Sequence, residues 1–159
     1  MIELHPAARP VIEELFQLYL HDMSSFGGWS IGDNGRFAYP PDLLPPYWQN
    51  QDHAPFVITS NNELAGFALL RPSPPEPDRT DMGQFFVLRK FAGQGVGRAA
   101  FQSALAQRPG KWLVRCLPDN KTAFGFWRKV ISQETAGNYT ASQELNGTTM
   151  MHFFRFETS

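Results

Sequence analysis

From Pro10 onward the apolar positions Val11, Ile12, Leu15, Phe16, Tyr19, Leu20 and Met23 recur at the spacing of a helix that buries one face. Pro10 suits the first turn of such a helix, and residues 2–4 before it can form a short strand. The pattern then breaks. Between Ser24 and Pro46 stand Gly27, Gly28, Gly32, Gly35, Pro40, Pro41, Pro45 and Pro46, interleaved with Phe26, Trp29, Phe37 and Tyr39. This reads as an ordered loop with one short helix near Leu43–Trp48, too aromatic for a linker, and long loops in compact domains are often functional. Two apolar runs, 55–60 and 63–70, flank Asn61-Asn62 and predict a hairpin.

Four prolines at 72, 74, 75 and 77 make the next segment an exposed loop. A strand follows at Met82–Leu88, then the glycine-rich stretch Ala92–Gly97. A helix comes next, with Val96, Ala100, Phe101, Ala104 and Leu105 on one face. Pro109-Gly110 ends it, and residues 111–117 form a further strand. Asp119-Asn120 can cap a helix whose apolar side is Ala123, Phe126, Trp127, Val130 and Ile131. Two more strands are expected around Thr135–Ser142 and Met150–Phe156. The order places a mixed sheet between helices, α/β or, by a stricter taxonomy, α+β, in a single domain over 1–159.

Composition narrows the function classes. The chain has 159 residues, 14 Lys+Arg against 15 Asp+Glu, and only 18% charged residues with 14% aromatics. Extensive disorder and a dedicated nucleic-acid binder are both excluded by that balance. The one cysteine, Cys116, sits in an apolar strand and reads as inert core. Its solitude, with no leader-like start and no run of about 18 apolar residues, predicts a cytoplasmic protein with no membrane partner. His5, His21, His53 and His152 lack ligand spacing, so no metal is expected.

The stretch from Phe85 to Phe101 carries the chemistry. A strand leads into Gly93, Gly95 and Gly97 and a helix starts at once. Glycines let the backbone turn sharply, and the free N–H groups of the helix start attract phosphate. Taken alone such a cluster is as often a mere tight turn. A nucleotide-phosphate enzyme of the P-loop type would need Gly-Lys-Ser/Thr where Arg98-Ala99 stand. A dinucleotide fingerprint needs a third glycine at position 98, again Arg98.

The run Ala92-Gly93-Gln94-Gly95-Val96-Gly97 after Val87 resembles the acetyl-CoA pyrophosphate loop of the GNAT superfamily of N-acetyltransferases. Asn120, Ala123, Phe126 and Trp127 resemble that family's Asn-x-x-Ala-x-x-Phe-Tyr helix. Two positions depart from the pattern. Ala92 replaces the leading Arg or Gln, and Trp127 replaces a Tyr that often protonates the leaving thiolate, which an indole cannot do.

The resemblance implies a mostly antiparallel sheet, splayed at the cofactor site and flanked by helices. It implies acetyl-CoA as co-substrate and direct transfer to a small-molecule or peptide amine, by a monomer or homodimer. It also implies cofactor contacts from Phe85, Phe86, Val87 and Leu88, where a bulge would splay the strands, and from Ala92, Gly93, Gln94, Gly95, Val96, Gly97 and Arg98. Asn120, Ala123, Phe126 and Trp127 complete the set, although the last two are at spacing more usual for core. A non-catalytic acyl-CoA-binding module is the alternative, motivated by Ala92, Gln84 and Trp127.

Charge distribution supports the same reading. No acid occurs from Met82 to Pro118, and residues 82–133 carry a net +8, against −7 for residues 1–81 and −2 for the rest. A basic side suits CoA phosphates and an acidic side a cationic amine, although basic residues are also commonly just a solvated surface. The base is less legible. Gln84 stands where the family often has Glu, which leaves Asp81, acting through water, as the nearest carboxylate. A solvated strand end is an equally good reading of Asp81. Asp22, Asp33, Tyr39, Tyr47 and Trp48 are the acceptor-side candidates.

Overall fold

The computed structural model describes residues 1–159. Strand β1 (Ile2–Pro6) leads into α1 (Arg9–Gly27), which runs further than the sequence suggests and ends at Gly28 in the left-handed conformation. The loop closes with α2 (Pro46–Gln49). Strands β2 (Ala54–Ser60) and β3 (Glu63–Pro72) form the expected hairpin. Asn61 and Asn62 both have positive φ, as a two-residue turn matched to strand twist requires.

Strand β4 (Thr80–Val87) is followed by a 3-10 turn (Arg89–Phe91) and α3 (Val96–Gln107), then β5 (Lys111–Cys116) and α4 (Lys121–Thr135). The chain ends in the hairpin β6 (Tyr139–Asn146) and β7 (Thr149–Glu157). The helix α4 takes the residues through Thr135, so β6 begins four residues later than the sequence pattern implied.

Seven strands form one sheet in the order β1-β2-β3-β4-β5-β7-β6. All neighbours are antiparallel except β4 and β5, which pair only at Thr80–Trp112 and Asp81–Leu113. Beyond Asp81 the two strands diverge, giving the splay that the resemblance implied. The bulge lies elsewhere than expected. Leu69 pairs with Gln84 and Leu70 with Met82, so Gly83 is the inserted residue, not one of Phe85–Leu88. A Cβ at Gly83 would stand 2.3 Å from the Tyr47 hydroxyl, so the glycine makes room for that ring.

Alternation along the strands divides the core between two faces. Ala68, Leu70, Met82, Trp112, Val114, Phe154 and Phe156 pack under α3 and α4 with Phe101 and Trp127. Phe67, Leu69 and Phe86 pack on the other face, under Ile12, Phe16 and Leu20 of α1 and Tyr47 of α2. Cys116 is buried and its thiol is pushed up to about 11, which keeps it protonated and inert. No helix is long and apolar enough to cross a membrane.

Candidate active site

The divergence of β4 from β5 opens a cleft of about 870 Å³ between the ends of α1, α3 and α4. Its floor is β4 itself. The side chains of Phe85 and Phe86 alternate, Phe86 against Tyr19 and Phe67, Phe85 stacked 6.1 Å from Phe126 and edge-on to Trp127 at 5.2 Å. Trp127 is 6% exposed, so the helix α4 buries this ring in the core while its edge lines the cleft.

At one end of the cleft, Gly93 and Gly95 hold φ of 74° and 77°, a region that L side chains avoid. A Cβ built at either would meet nothing within 4 Å, so the backbone there faces open space. Gly95 is the N-cap of α3, whose first unpaired N–H groups point into the same space. Gly97 serves a different purpose. A Cβ there would sit 3.1 Å from the Phe126 ring, so glycine lets α3 and α4 approach. The side chain of Arg98 borders this end, with Arg89 and Lys129. A concave run of free N–H groups flanked by cations fits a diphosphate.

Asn120 caps α4, its Oδ1 accepting from Ala123 N at 3.1 Å, and its Nδ2 faces the Met23 sulfur at 3.6 Å. Asn120→Ala is expected to destabilise the protein by about 1 kcal/mol, the usual worth of such a cap. A urea titration checks it.

All the expected cofactor residues line this cleft except Leu88, which packs in the core, and Gln94, whose side chain donates to Lys90 O at 3.0 Å and closes the loop. Of the acceptor candidates, Asp22 alone reaches the cleft, and its carboxylate accepts from Arg89 Nη2 at 2.8 Å. Tyr39 packs edge-on against Phe16 at 4.9 Å, Tyr47 is buried, and the Trp48 indole donates to Ala7 O at 2.9 Å. Asp33 lies exposed in the loop after α1.

Asp81 requires correction. Its side chain is fully buried and outside the cleft lining, with Arg71 Nε at 2.9 Å and Arg115 Nη2 at 2.8 Å both on Oδ2, and no donor on Oδ1. Two fixed cations hold this carboxylate as a counter-ion outside the cleft, beyond reach of a proton on an amine bound there.

Residues that the sequence reading missed include Tyr19, Met23, Phe26, Arg89, Lys129 and Gln133. Tyr19 is the one phenol in the lining. Desolvation pushes its hydroxyl up to about 12, so it stays protonated at neutral pH.

A model of the acetyltransferase (GNAT) family matches residues 12–131. The chain belongs to that family. A curated relative, the uncharacterized N-acetyltransferase YesJ of Bacillus subtilis (strain 168), is 33% identical over 90 residues, 47% of this chain and 50% of that protein. The match therefore spans half the length of this curated relative.

Among solved structures, an acetyltransferase from Thermus thermophilus superposes with a TM-score of 0.70 at 14% identity, covering 99% of this chain and 97% of the other. A GNAT family acetyltransferase from Elizabethkingia anophelis with acetyl-CoA bound gives 0.63 at 15% identity, with 98% and 97% covered. The GNAT fold thus accounts for nearly the whole chain, and the splayed strand pair and glycine loop are this member's version of it.

Proposed function

We propose that the chain, as one domain over 1–159, is an acetyl-CoA-dependent N-acetyltransferase that passes acetyl directly to an amine. The observation that carries this reading is the cleft between diverging β4 and β5, closed at one end by a glycine loop whose Cβ positions at Gly93 and Gly95 face open space. Acetyl-CoA, when bound, supplies the activated acetyl group.

The residues present fit such a molecule. Backbone N–H groups of Gly93–Gly97 and the cations Arg89, Arg98 and Lys129 hold the phosphates. The side chain that Ala92 lacks leaves this work to the main chain and to those cations. In β4, the N–H groups of Phe85–Val87 that do not face β3 are free to donate into the gap. They hold the carbonyl oxygen as negative charge develops on it, the largest single electrostatic contribution in most acyl transfers. Burial between Phe85, Phe126 and Trp127 excludes water from that point and strengthens those hydrogen bonds.

Trp127 cannot supply a proton, and Tyr19, which packs on Phe86 where Trp127 packs on Phe85, can. Tyr19→Phe is expected to lower kcat about tenfold, less than the about 10²–10⁴ usual for general acid catalysis, because a phenol titrating so high is poorly matched to neutral pH. CoA affinity should not change in this variant; an equal loss in both would remove Tyr19 from the proton step.

Calorimetric titration with CoA, followed by a thiol-release assay with acetyl-CoA over an amine panel, tests the whole reading. Micromolar binding and saturable turnover are expected. A chain that does not bind CoA overturns it, and one that binds CoA but turns over no amine is a binding module instead.

A further inference from the structure

Beside the cofactor cleft lies a second pocket, of about 370 Å³, bordered by Phe26, Trp29, Leu117, Pro118, Asp119 and Met150. Phe26 lines both cavities, and Asp119 in one is adjacent in sequence to Asn120 in the other, so the two meet at a seam. Trp29 is 47% exposed, and Phe26 and Met150 are also exposed, unusual for side chains of that size unless something covers them.

The indole is held in place by its neighbour. A Cβ built at Gly27 would stand 2.6 Å from Cε2 and Cζ2 of Trp29, so only glycine lets this ring fold back over the end of α1.

The charges of the pocket are sparse and of one sign. Asp119 has no cationic partner in the chain. The other carboxylate nearby, Asp22, is taken by Arg89. No Lys or Arg lines the pocket, so a ligand carboxylate would find no counter-charge and would face Asp119 instead.

From these observations we infer that the acceptor is a small primary monoamine on an uncharged aromatic or bulky alkyl body. Its body lies between Trp29, Phe26 and Met150, and its nitrogen lies on the seam at Asp119, bound there as the ammonium and able to attack the acetyl carbon as the neutral amine once one proton has passed to solvent. A volume near 370 Å³ falls at the lower end of small-molecule sites, about 300–1,000 Å³, and suits an arylalkylamine. Aromatic faces and a thioether hold an aryl ring well. A polyamine carries several charges that a lone acid cannot pair, and a free amino acid brings a carboxylate that the lining repels.

The inference rests on the proposed acetyl transfer, and CoA titration separates their failures. With CoA binding established, acetyl-CoA is offered with phenethylamine, hexylamine, spermidine, phenylalanine and a peptide with an N-terminal Phe. The expected kcat/KM for phenethylamine exceeds those for spermidine, phenylalanine and the peptide by at least about tenfold.

Trp29→Ala should raise the KM for phenethylamine about tenfold with CoA affinity unchanged. Gly27→Ala, which keeps the indole and displaces it, should act the same way. Asp119→Asn should raise KM for phenethylamine and hexylamine alike. Preference for spermidine, phenylalanine or the peptide overturns the inference, as does an unchanged KM in the Trp29 and Gly27 variants. Absence of CoA binding, or CoA binding without turnover of any amine, instead removes the acetyl-transfer reading on which it rests.

Discussion

Gly95→Val is expected to weaken CoA binding by at least about 100-fold, or about 2.8 kcal/mol at 1.4 kcal/mol per factor of ten. Two effects add. Gly95 holds φ of 77°, and a β-branched residue forced into that left-handed region costs about 1–2 kcal/mol in backbone strain alone. Relief of that strain rotates the N-cap of α3 and turns its free N–H groups away from the ligand. The added side chain also projects into the open space that the phosphates would occupy. Calorimetry measures the loss, and circular dichroism confirms the fold. Gly147→Ala is the control, since it carries a similar strain (φ 65°) on the β6–β7 turn and should leave CoA affinity intact. Equal binding by wild type and Gly95→Val would disprove the assignment of the phosphate site.

Asp81→Ala should be the most destabilising polar substitution, by about 3 kcal/mol, the lower end of the range for breaking a buried ion pair. The carboxylate is inaccessible, while the side chains of Arg71 and Arg115 retain 23% and 10% exposure and can recover part of their hydration. Against a total stability of about 5–15 kcal/mol for a domain of this kind, the loss is large. It should lower Tm by about 6–12 °C at 2–4 °C per kcal/mol. Urea denaturation with and without the compensating pair Arg71→Met and Arg115→Met gives the measurement. Recovery in the triple variant is expected, because no guanidinium is then left buried without a partner. A stable Asp81→Ala protein that binds CoA normally and has lost turnover would restore Asp81 as a catalytic base.

The elements were legible wherever a local signal decides them. The Asn61-Asn62 turn, the glycine loop and the Asn120 cap are all written within a few residues of chain, whereas the proline segment is loop only after Pro72, which ends β3 paired with Thr80. Less legible was anything that depends on partners distant in sequence. Asp81 is a counter-ion because Arg71 and Arg115, 10 and 34 residues away, arrive from β3 and β5. Tyr19 lies on the apolar stripe of α1 and reads as ordinary core; only the gap beside β5 makes it a cleft residue.

Segregation of charge along the sequence also changed its meaning on folding. Arg89 meets Asp22, Lys90 meets Glu63, Lys111 meets Asp78 and Arg115 meets Asp81, so acids of the first half neutralise much of the basic stretch. Among its cations, Arg89, Arg98 and Lys129 border the cleft.

The parting of β4 from β5 also gives the sheet an edge in its own interior. Exposed strand edges invite pairing with foreign chains, and proteins blunt them with charge, bulges or cover. Here the cladding is aromatic. Phe85, Phe126 and Trp127 crowd one side of the gap and Gly83 kinks the strand below it, which obstructs the entry of another strand while leaving passage for a slender chain with amides of its own. Trimming those rings would therefore threaten solubility as well as catalysis, since the surface that admits the ligand is the surface that must refuse a second copy of the protein.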